Sequence, residues 1–302
     1  MIFSDNINVL SGQKITLITG ATSGIGFEML EYLAKDNQNI LFTARNETKA
    51  KRIIKDMISN YPSLRISYAM CELSDQIEII KLTNYINSKS IKIENLVNNA
   101  GIFPVNNKIS KQGIELSFAI NHIAPFLIST QLHKNNSFEE HALILNINSS
   151  AHYRGKGNLE NYDPLEIYKL SKMQRYSETK LANLCLTYKL SKIYKDDGIL
   201  VNAAHPGVVA TNLLSNNGWL SFLNWGLKLV GRNANQSAKE LFEVIEKCHR
   251  DKLSGIFFSE GDIVKSSDYS YDINLQDKIW NISIGLTNTS TMEFNYDYTM
   301  VF

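Results

Sequence analysis

Cysteine is scarce in this chain of 302 residues: there are three, Cys71, Cys185 and Cys248, an odd number at wide spacing. Neither a zinc pattern nor a disulfide framework can be built from them, and a reducing, cytoplasmic compartment fits best. Proline is also rare, five against 16 glycines. An excess of charge of one sign is missing: 31 Lys and Arg balance 30 Asp and Glu, a formal net charge of +1. That balance argues against a nucleic-acid partner and against an acidic tail. Long hydrophobic runs are absent as well. The first residues, MIFSDNINVLSGQK, hold no basic n-region and no apolar run, so neither a signal peptide nor an N-terminal anchor is expected. The most apolar later stretch, Gly218 to Val230, has about thirteen residues, short of the roughly 20 that cross a bilayer. Peripheral contact with a membrane stays open. His122, His133 and His141 have no metal-ligand spacing, and no metal is expected.

What is present is enough apolar residue for a full core, 44% of the chain, with 20% charged. Short β-branched runs alternate with amphipathic stretches. Ile15 to Thr19, Asn39 to Ala44, Arg65 to Met70, Ile93 to Gly101, Ala142 to Ser150, Ile199 to Gly207 and Ser254 to Gly261 read as strands. Between them, Phe27 to Asp36, Glu47 to Asn60, Ser117 to Lys134 and Arg175 to Tyr194 read as helices. Such alternation predicts an α/β fold, a doubly wound, mostly parallel seven-stranded sheet with helices on both faces. No linker divides the chain, so one Rossmann domain over 1–302 is expected.

After the first strand comes TGATSGIG, Thr19 to Gly26. Gly20, Gly24 and Gly26 allow a sharp turn and a close approach of backbone to a phosphate. The next helix points its free N–H groups at the same place, with Thr22, Ser23 and Ile25 completing the turn. The second strand ends in TARNETK, with Arg45 and Asn46 where a fold that prefers NAD carries an acid. A guanidinium holds a 2′-phosphate and a carboxylate repels it, so NADP(H) is favoured over NAD(H). The competing reading of Arg45 is a cap or a surface salt bridge. The stretch 211–238 breaks the βα rhythm and carries Trp219, Phe222, Trp225, Leu227 and Leu229. Following the sixth strand, it reads as a substrate lid; packing helices, or a patch for dimerisation or membrane contact, are the alternatives.

Six motifs in order give the chain a resemblance to the short-chain dehydrogenase/reductase family, from Gly12 to about Ser290. They are TGATSGIG, NNAG at Asn98 to Gly101, Asn121 in FAINHIAPF, Ser150 in INSSAH, YSETK with Tyr176 and Lys180, and HPGVVAT at His205 to Thr211. ARNETKA, NHIAPFLIST, SSAHY, YSETKLANLCLTYKL and HPGVVATNL, with 26 residues from Ser150 to Tyr176, most resemble its retinol-dehydrogenase-like and protochlorophyllide-reductase-like branch. The resemblance implies adenine contacts from Glu72 and Leu73, with Glu72 standing where the family has an aspartate. It also implies cofactor contacts from Asn99, Ala100, Gly101, Tyr176, Lys180, Pro206, Gly207, Val209 and Thr211. It implies a proton relay through a water held by Asn121, and homodimers or homotetramers. A membrane anchor, common among relatives acting on retinoids, is not seen.

The residues themselves specify the chemistry. Tyr176 and Lys180 stand four apart, on one face of a predicted helix. A neighbouring ammonium is expected to lower the Tyr176 pKa from about 10, making it a general acid in reduction and base in oxidation. Ser150, with Ser149 just before it, is expected to hold the substrate oxygen as charge develops there. The function read from the sequence is therefore hydride transfer between NADP(H) and a carbonyl or alcohol, on a bulky apolar molecule such as a retinoid, steroid or lipid aldehyde. The alternatives are a non-catalytic dinucleotide-binding regulator and a tetrapyrrole reductase, for which Cys185 on the Tyr176 helix would be a substrate-side thiol.

Overall fold

The structure, a computed structural model, describes residues 9–104, 108–158, 167–207 and 233–287. β1 (Lys14–Ile18), β2 (Ile40–Ala44), β3 (Ile66–Met70), β4 (Lys92–Asn98), β5 (Phe138–Ile147), β6 (Leu200–His205) and β7 (Phe257–Ser259) pair in parallel in the order 3-2-1-4-5-6-7. These are the seven strands read from the sequence. A two-residue strand, β8 (Asp262–Ile263), joins the β7 edge antiparallel.

Side chains alternate between two cores, as the period of two requires. Leu17, Leu41, Leu96, Ile144 and Val201 face one core; Ile18, Phe42, Val97, Leu145 and Leu200 face the other. The first is covered by α3 (Gln76–Ser88), α5 (Ala124–Lys134) and α6 (Lys172–Ile193). The second is covered by α1 (Gly24–Lys35), α2 (Glu47–Asn60) and α7 (Ala234–Asp251). α7 is seated on α1 by the stacked rings of Tyr32 and Phe242, 6.2 Å apart, and by Tyr32 donating to Asn235 at 2.8 Å. Two further helices, α8 (Asp268–Tyr271) and α9 (Ile273–Thr287), pack outside α6. α6 is therefore buried nearly all round, including Glu178, Thr179, Lys180, Asn183 and Thr187.

Two elements depart from the sequence reading. The single helix expected over Ser117 to Lys134 is three pieces: α4 (Leu116–Phe118), a π-helical segment (Ala119–Ile123) and α5. The stretch read as a lid ends too late, because residues 234–238 are the first turn of α7, where Ser237 and Ala238 are buried. The rest of it, 211–232, lies outside the described residues. Among the described residues no helix is long and apolar enough to cross a membrane.

Strand order reverses between β1 and β4, and chain leaves their C-terminal ends in opposite directions. In open α/β sheets this divergence opens the ligand crevice.

Candidate active site

The crevice is a cleft of about 960 Å³ along the C-terminal ends of β1 to β6. Its middle is the glycine turn. Gly20 (φ +68) and Gly24 (φ +59) take left-handed conformations that a side chain disfavours. A Cβ on Gly20 would sit 2.9 Å from the Ala100 Cα, and one on Gly26 would collide with the Asn99 amide and the Gly20 carbonyl. Asn99 donates to the carbonyls of Thr19 (2.8 Å) and Gly20 (3.1 Å), and the Ala100 N–H donates to Thr19 Oγ1 at 3.0 Å. The turn after β1 is thus tied to the end of β4. Ser23 makes no side-chain cap to α1, which leaves the first N–H groups of that helix for a ligand. Thr22, Ser23 and Ile25 line the cleft beside the three glycines.

At the β2–β3 end the cleft is lined by Arg45, Glu72 and Leu73, with Thr43, Ala44 and Cys71. Arg45 and Glu72 face each other at 3.8 Å, and the Arg45 side chain is 68% exposed. An exposed pair of this length contributes little to stability, so the guanidinium is available to an incoming anion. Asn46 does not line the cleft. Its Oδ1 accepts the Lys49 N–H at 2.9 Å as the N-cap of α2, so the sequence placement of Asn46 at the ribose is corrected to a structural one.

Tyr176 and Lys180 project into the β4–β6 side of the cleft from α6, with the Lys180 Nζ 5.8 Å from the Tyr176 ring centre. Lys180 Nζ donates to the Ile147 carbonyl at 2.9 Å. The serine that reaches Tyr176 is Ser149, whose hydroxyl hydrogen-bonds the phenol. Ser150 lines the cleft, but it is exposed and opens a 3-10 helix (Ser150–Arg154). The reason is local. Asn148 folds back onto α6, donating to the Lys180 carbonyl (3.0 Å) and to Asn183 (3.1 Å), while accepting the Ser149 N–H at 2.7 Å. Ser149 is thereby fixed in extended backbone against α6, capping the Ala151 N–H at 3.2 Å, and Ser150 is carried outward with the new helix. The expectation for Ser150 is corrected to Ser149.

Asn121 lies in the π-helical segment, buried behind the cleft wall. Its side chain is engaged on both ends: Oδ1 accepts the Ile102 N–H (2.8 Å), and Nδ2 donates to the Ile102 carbonyl (2.9 Å) and to Thr179 (3.0 Å). Thr179 stands one residue before Lys180, so Asn121 ties the chain after β4 to the Tyr176–Lys180 turn. A Cβ added at Gly101 would lie 3.3 Å from the Asn121 Oδ1 and 3.6 Å from the Lys180 Nζ.

The electrostatics reverse one expectation. Burial pushes the Tyr176 hydroxyl up to about 12, with the Ser149 hydrogen bond pulling in the other direction. Burial also lowers Lys180 to about 8. Desolvation disfavours both charged forms, so the direction at Tyr176 is opposite to the expected lowering. At neutral pH the phenol is the populated form, a held proton beside a lysine that is still mostly charged.

Asn99, Ala100, Gly101, Pro206 and Gly207 line the cleft; Val209 and Thr211 lie outside the described residues, as do Trp219, Phe222, Trp225, Leu227 and Leu229. His205 lines the cleft, whereas His122 is buried beside Ser283 and His133 binds Asp197. Cys185 does not line the cleft; it is buried against Phe118 and Ile279 in the core outside the sheet. The tetrapyrrole alternative loses that support. Sequence reasoning missed Asn148, Phe103, Arg154 and Met173. Phe103 lies with its ring 5.3 Å from that of Tyr176. Asn148 carried a signal, an amide at the end of a buried strand beside the serines. All three cysteines are free, and no group of three potential metal ligands occurs among the described residues.

The comparisons with known proteins agree with this geometry. The short chain dehydrogenase family model matches residues 14–163. The chain is 31% identical over 292 residues to the chloroplastic short-chain dehydrogenase TIC 32 B of Brassica napus, across 90% of this chain and 88% of that protein. It is 26% identical over 280 residues to retinol dehydrogenase 12 of Mus musculus, across 92% and 88%. A short chain dehydrogenase of Burkholderia cenocepacia J2315, solved in complex with NADP, superposes with a TM-score of 0.62 at 21% identity, across 83% of this chain and 96% of that one. A likeness that runs through nine-tenths of the chain, on a sheet with this strand order and this glycine turn, makes the protein a member of the short-chain dehydrogenase/reductase family.

Proposed function

We propose that the protein is an NADP(H)-dependent oxidoreductase that interconverts a carbonyl and an alcohol on a largely apolar small molecule. One observation carries the reading: the Ser149–Tyr176–Lys180 cluster opens into the same cleft as the glycine turn, so a dinucleotide held by the turn reaches the cluster. The residues present fit that cofactor. The N-terminus of α1 with Gly20 to Gly26 would hold the pyrophosphate, Leu73 and Glu72 the adenine, Arg45 the 2′-phosphate, and Lys180 with Pro206 and Gly207 the nicotinamide end. NADPH supplies the hydride when bound. The NADP complex of the Burkholderia relative supports the choice of nucleotide, and Arg45 at the end of β2 supports it from this chain.

Each residue then has a task. Tyr176 holds the proton and donates it from its hydroxyl to the substrate oxygen. Ser149 hydrogen-bonds that oxygen as negative charge grows on it, which supplies transition-state stabilisation. Lys180, charged at neutral pH, favours the phenolate that Tyr176 becomes. Phe103, Ile102 and Met173 give this part of the cleft an apolar wall, in keeping with retinol dehydrogenase among the relatives.

The test is a fluorescence titration of NADPH and NADH against wild type and Arg45→Ala, followed by NADPH oxidation with a panel of apolar aldehydes and ketones. NADPH is expected to bind more tightly than NADH, and the substitution to weaken NADPH by about tenfold or more while sparing NADH. Equal NADH binding that is indifferent to Arg45 contradicts the nucleotide assignment, and binding of neither favours a non-catalytic scaffold.

A further inference from the structure

The charge on the cleft wall is one-sided beyond the cofactor turn. Among the described residues that line the cleft, the one carboxylate is Glu72, which lies at the β2–β3 end beside Arg45. The β5 end has two cations and no anion: Lys180 at the catalytic centre and Arg154 at the rim. Arg154 closes the 3-10 helix that starts beside Ser149, and its side chain is exposed. It makes no ion pair with any described residue. The neighbouring wall is Phe103 and Met173, both lining the cleft around Tyr176.

Arg154 is badly placed to serve the phosphates of a dinucleotide. β4 separates β1, whose end carries the glycine turn, from β5, so the two ends lie two strand spacings apart, roughly 10 Å. The phosphates have α1 and Arg45 on their own side. An exposed guanidinium beside an apolar wall, with no ion-pair partner among the described residues, is a fork for a planar anion.

Resting on the oxidoreductase reading above, we infer that the substrate is amphipathic and anionic: an aldehyde or ketone on an apolar body that ends in a carboxylate, the body lying against Phe103 and Met173 and the carboxylate on Arg154. In reduction, the carbonyl carbon takes hydride from NADPH, which leaves as NADP+, and the oxygen takes the Tyr176 proton; the carboxylate takes no part in the chemistry and fixes the pose. Arg154 is then the specificity-determining residue of the site.

The experiment uses ω-oxo alkanoic acids of increasing chain length, each paired with its own methyl ester, which keeps the aldehyde and the chain and removes the charge. The ratio of kcat/KM for acid over ester is measured in wild type, Arg154→Gln and Arg154→Glu. The expected result is an optimum chain length at which wild type prefers the acid by about tenfold or more, a ratio near one in Arg154→Gln, and an inverted ratio in Arg154→Glu. A wild-type ratio at or below one at every length, or a ratio that Arg154→Gln leaves in place, overturns the assignment. Calorimetric titration with decanoate separates this claim from the reading beneath it. If no aldehyde is turned over, the oxidoreductase reading has failed on its own account. Decanoate binding that Arg154→Gln weakens about tenfold then still upholds the anion site, and binding indifferent to Arg154 overturns it.

Discussion

Ser149 and Ser150 are indistinguishable by type and adjacent in the chain, yet Ser149 bonds the Tyr176 phenol. Ser149→Ala is expected to lower kcat for carbonyl reduction by about a hundredfold, as loss of a donor to a developing oxyanion does. Ser150→Ala should cost no more than a few-fold, and steady-state kinetics of the pair decides between them. The sequence made Tyr176, Lys180 and the glycine turn legible because their chemistry depends on residue type and spacing. It hid the choice of serine because that depends on where β5 stops, and β5 stops at Ile147 through side-chain bonds of Asn148 to α6. Asn46 was misplaced for a related reason: an amide just before a helix serves as a cap whether or not a ligand is near.

At the scale of elements, the two helical segments that carry Asn121 and Tyr176 are joined by a buried ion pair. Arg175, next to Tyr176, lies 3.8 Å from Glu115, and both side chains are almost fully buried. Glu115 also accepts the Phe118 N–H (2.8 Å) and the Ser117 hydroxyl (2.6 Å), so it caps the segment that leads to Asn121. Removing Glu115 takes a buried partner from the Arg175 charge. Glu115→Ala is therefore expected to lower unfolding stability by about 3 kcal/mol or more, and Glu115→Ala with Arg175→Met by less than the sum of the singles. Urea denaturation of the double-mutant cycle measures both. Additive losses would show that the pair does not act as one unit. Other elements show why helices were harder to read than strands. α3, rich in isoleucine, has no clean helical stripe, although Asp75 and Glu78 in SDQIE gave a start signal: Asp75 accepts the Ile77 N–H at 3.1 Å. The strands were legible because parallel strands buried on both faces are short continuous apolar runs.

Over the whole molecule, buried histidines make the fold sensitive to mild acid. Burial lowers His122 from 6.5 to about 3, and it lowers His152 and His249 as well. A group held neutral in the fold and protonated more readily in the unfolded chain stabilises fully above pH 6.5, and that contribution is lost as pH falls from 6.5 towards the folded value. The urea midpoint is expected to fall between pH 7 and pH 5, before most carboxylates titrate, and to fall less in His122→Gln. A midpoint flat across that range would contradict the buried neutral His122.

Hydride transfer in the cleft, with Tyr176 as the proton donor, is the reaction proposed for this site. The most direct measurement follows NADPH consumption spectrophotometrically with a reducible aldehyde, in wild type and Tyr176→Phe, alongside NADPH binding to each. Turnover is expected in wild type, with a loss in Tyr176→Phe of at least about a hundredfold and NADPH affinity retained within a few-fold. A phenylalanine variant that turns over as fast as wild type would contradict that role of Tyr176.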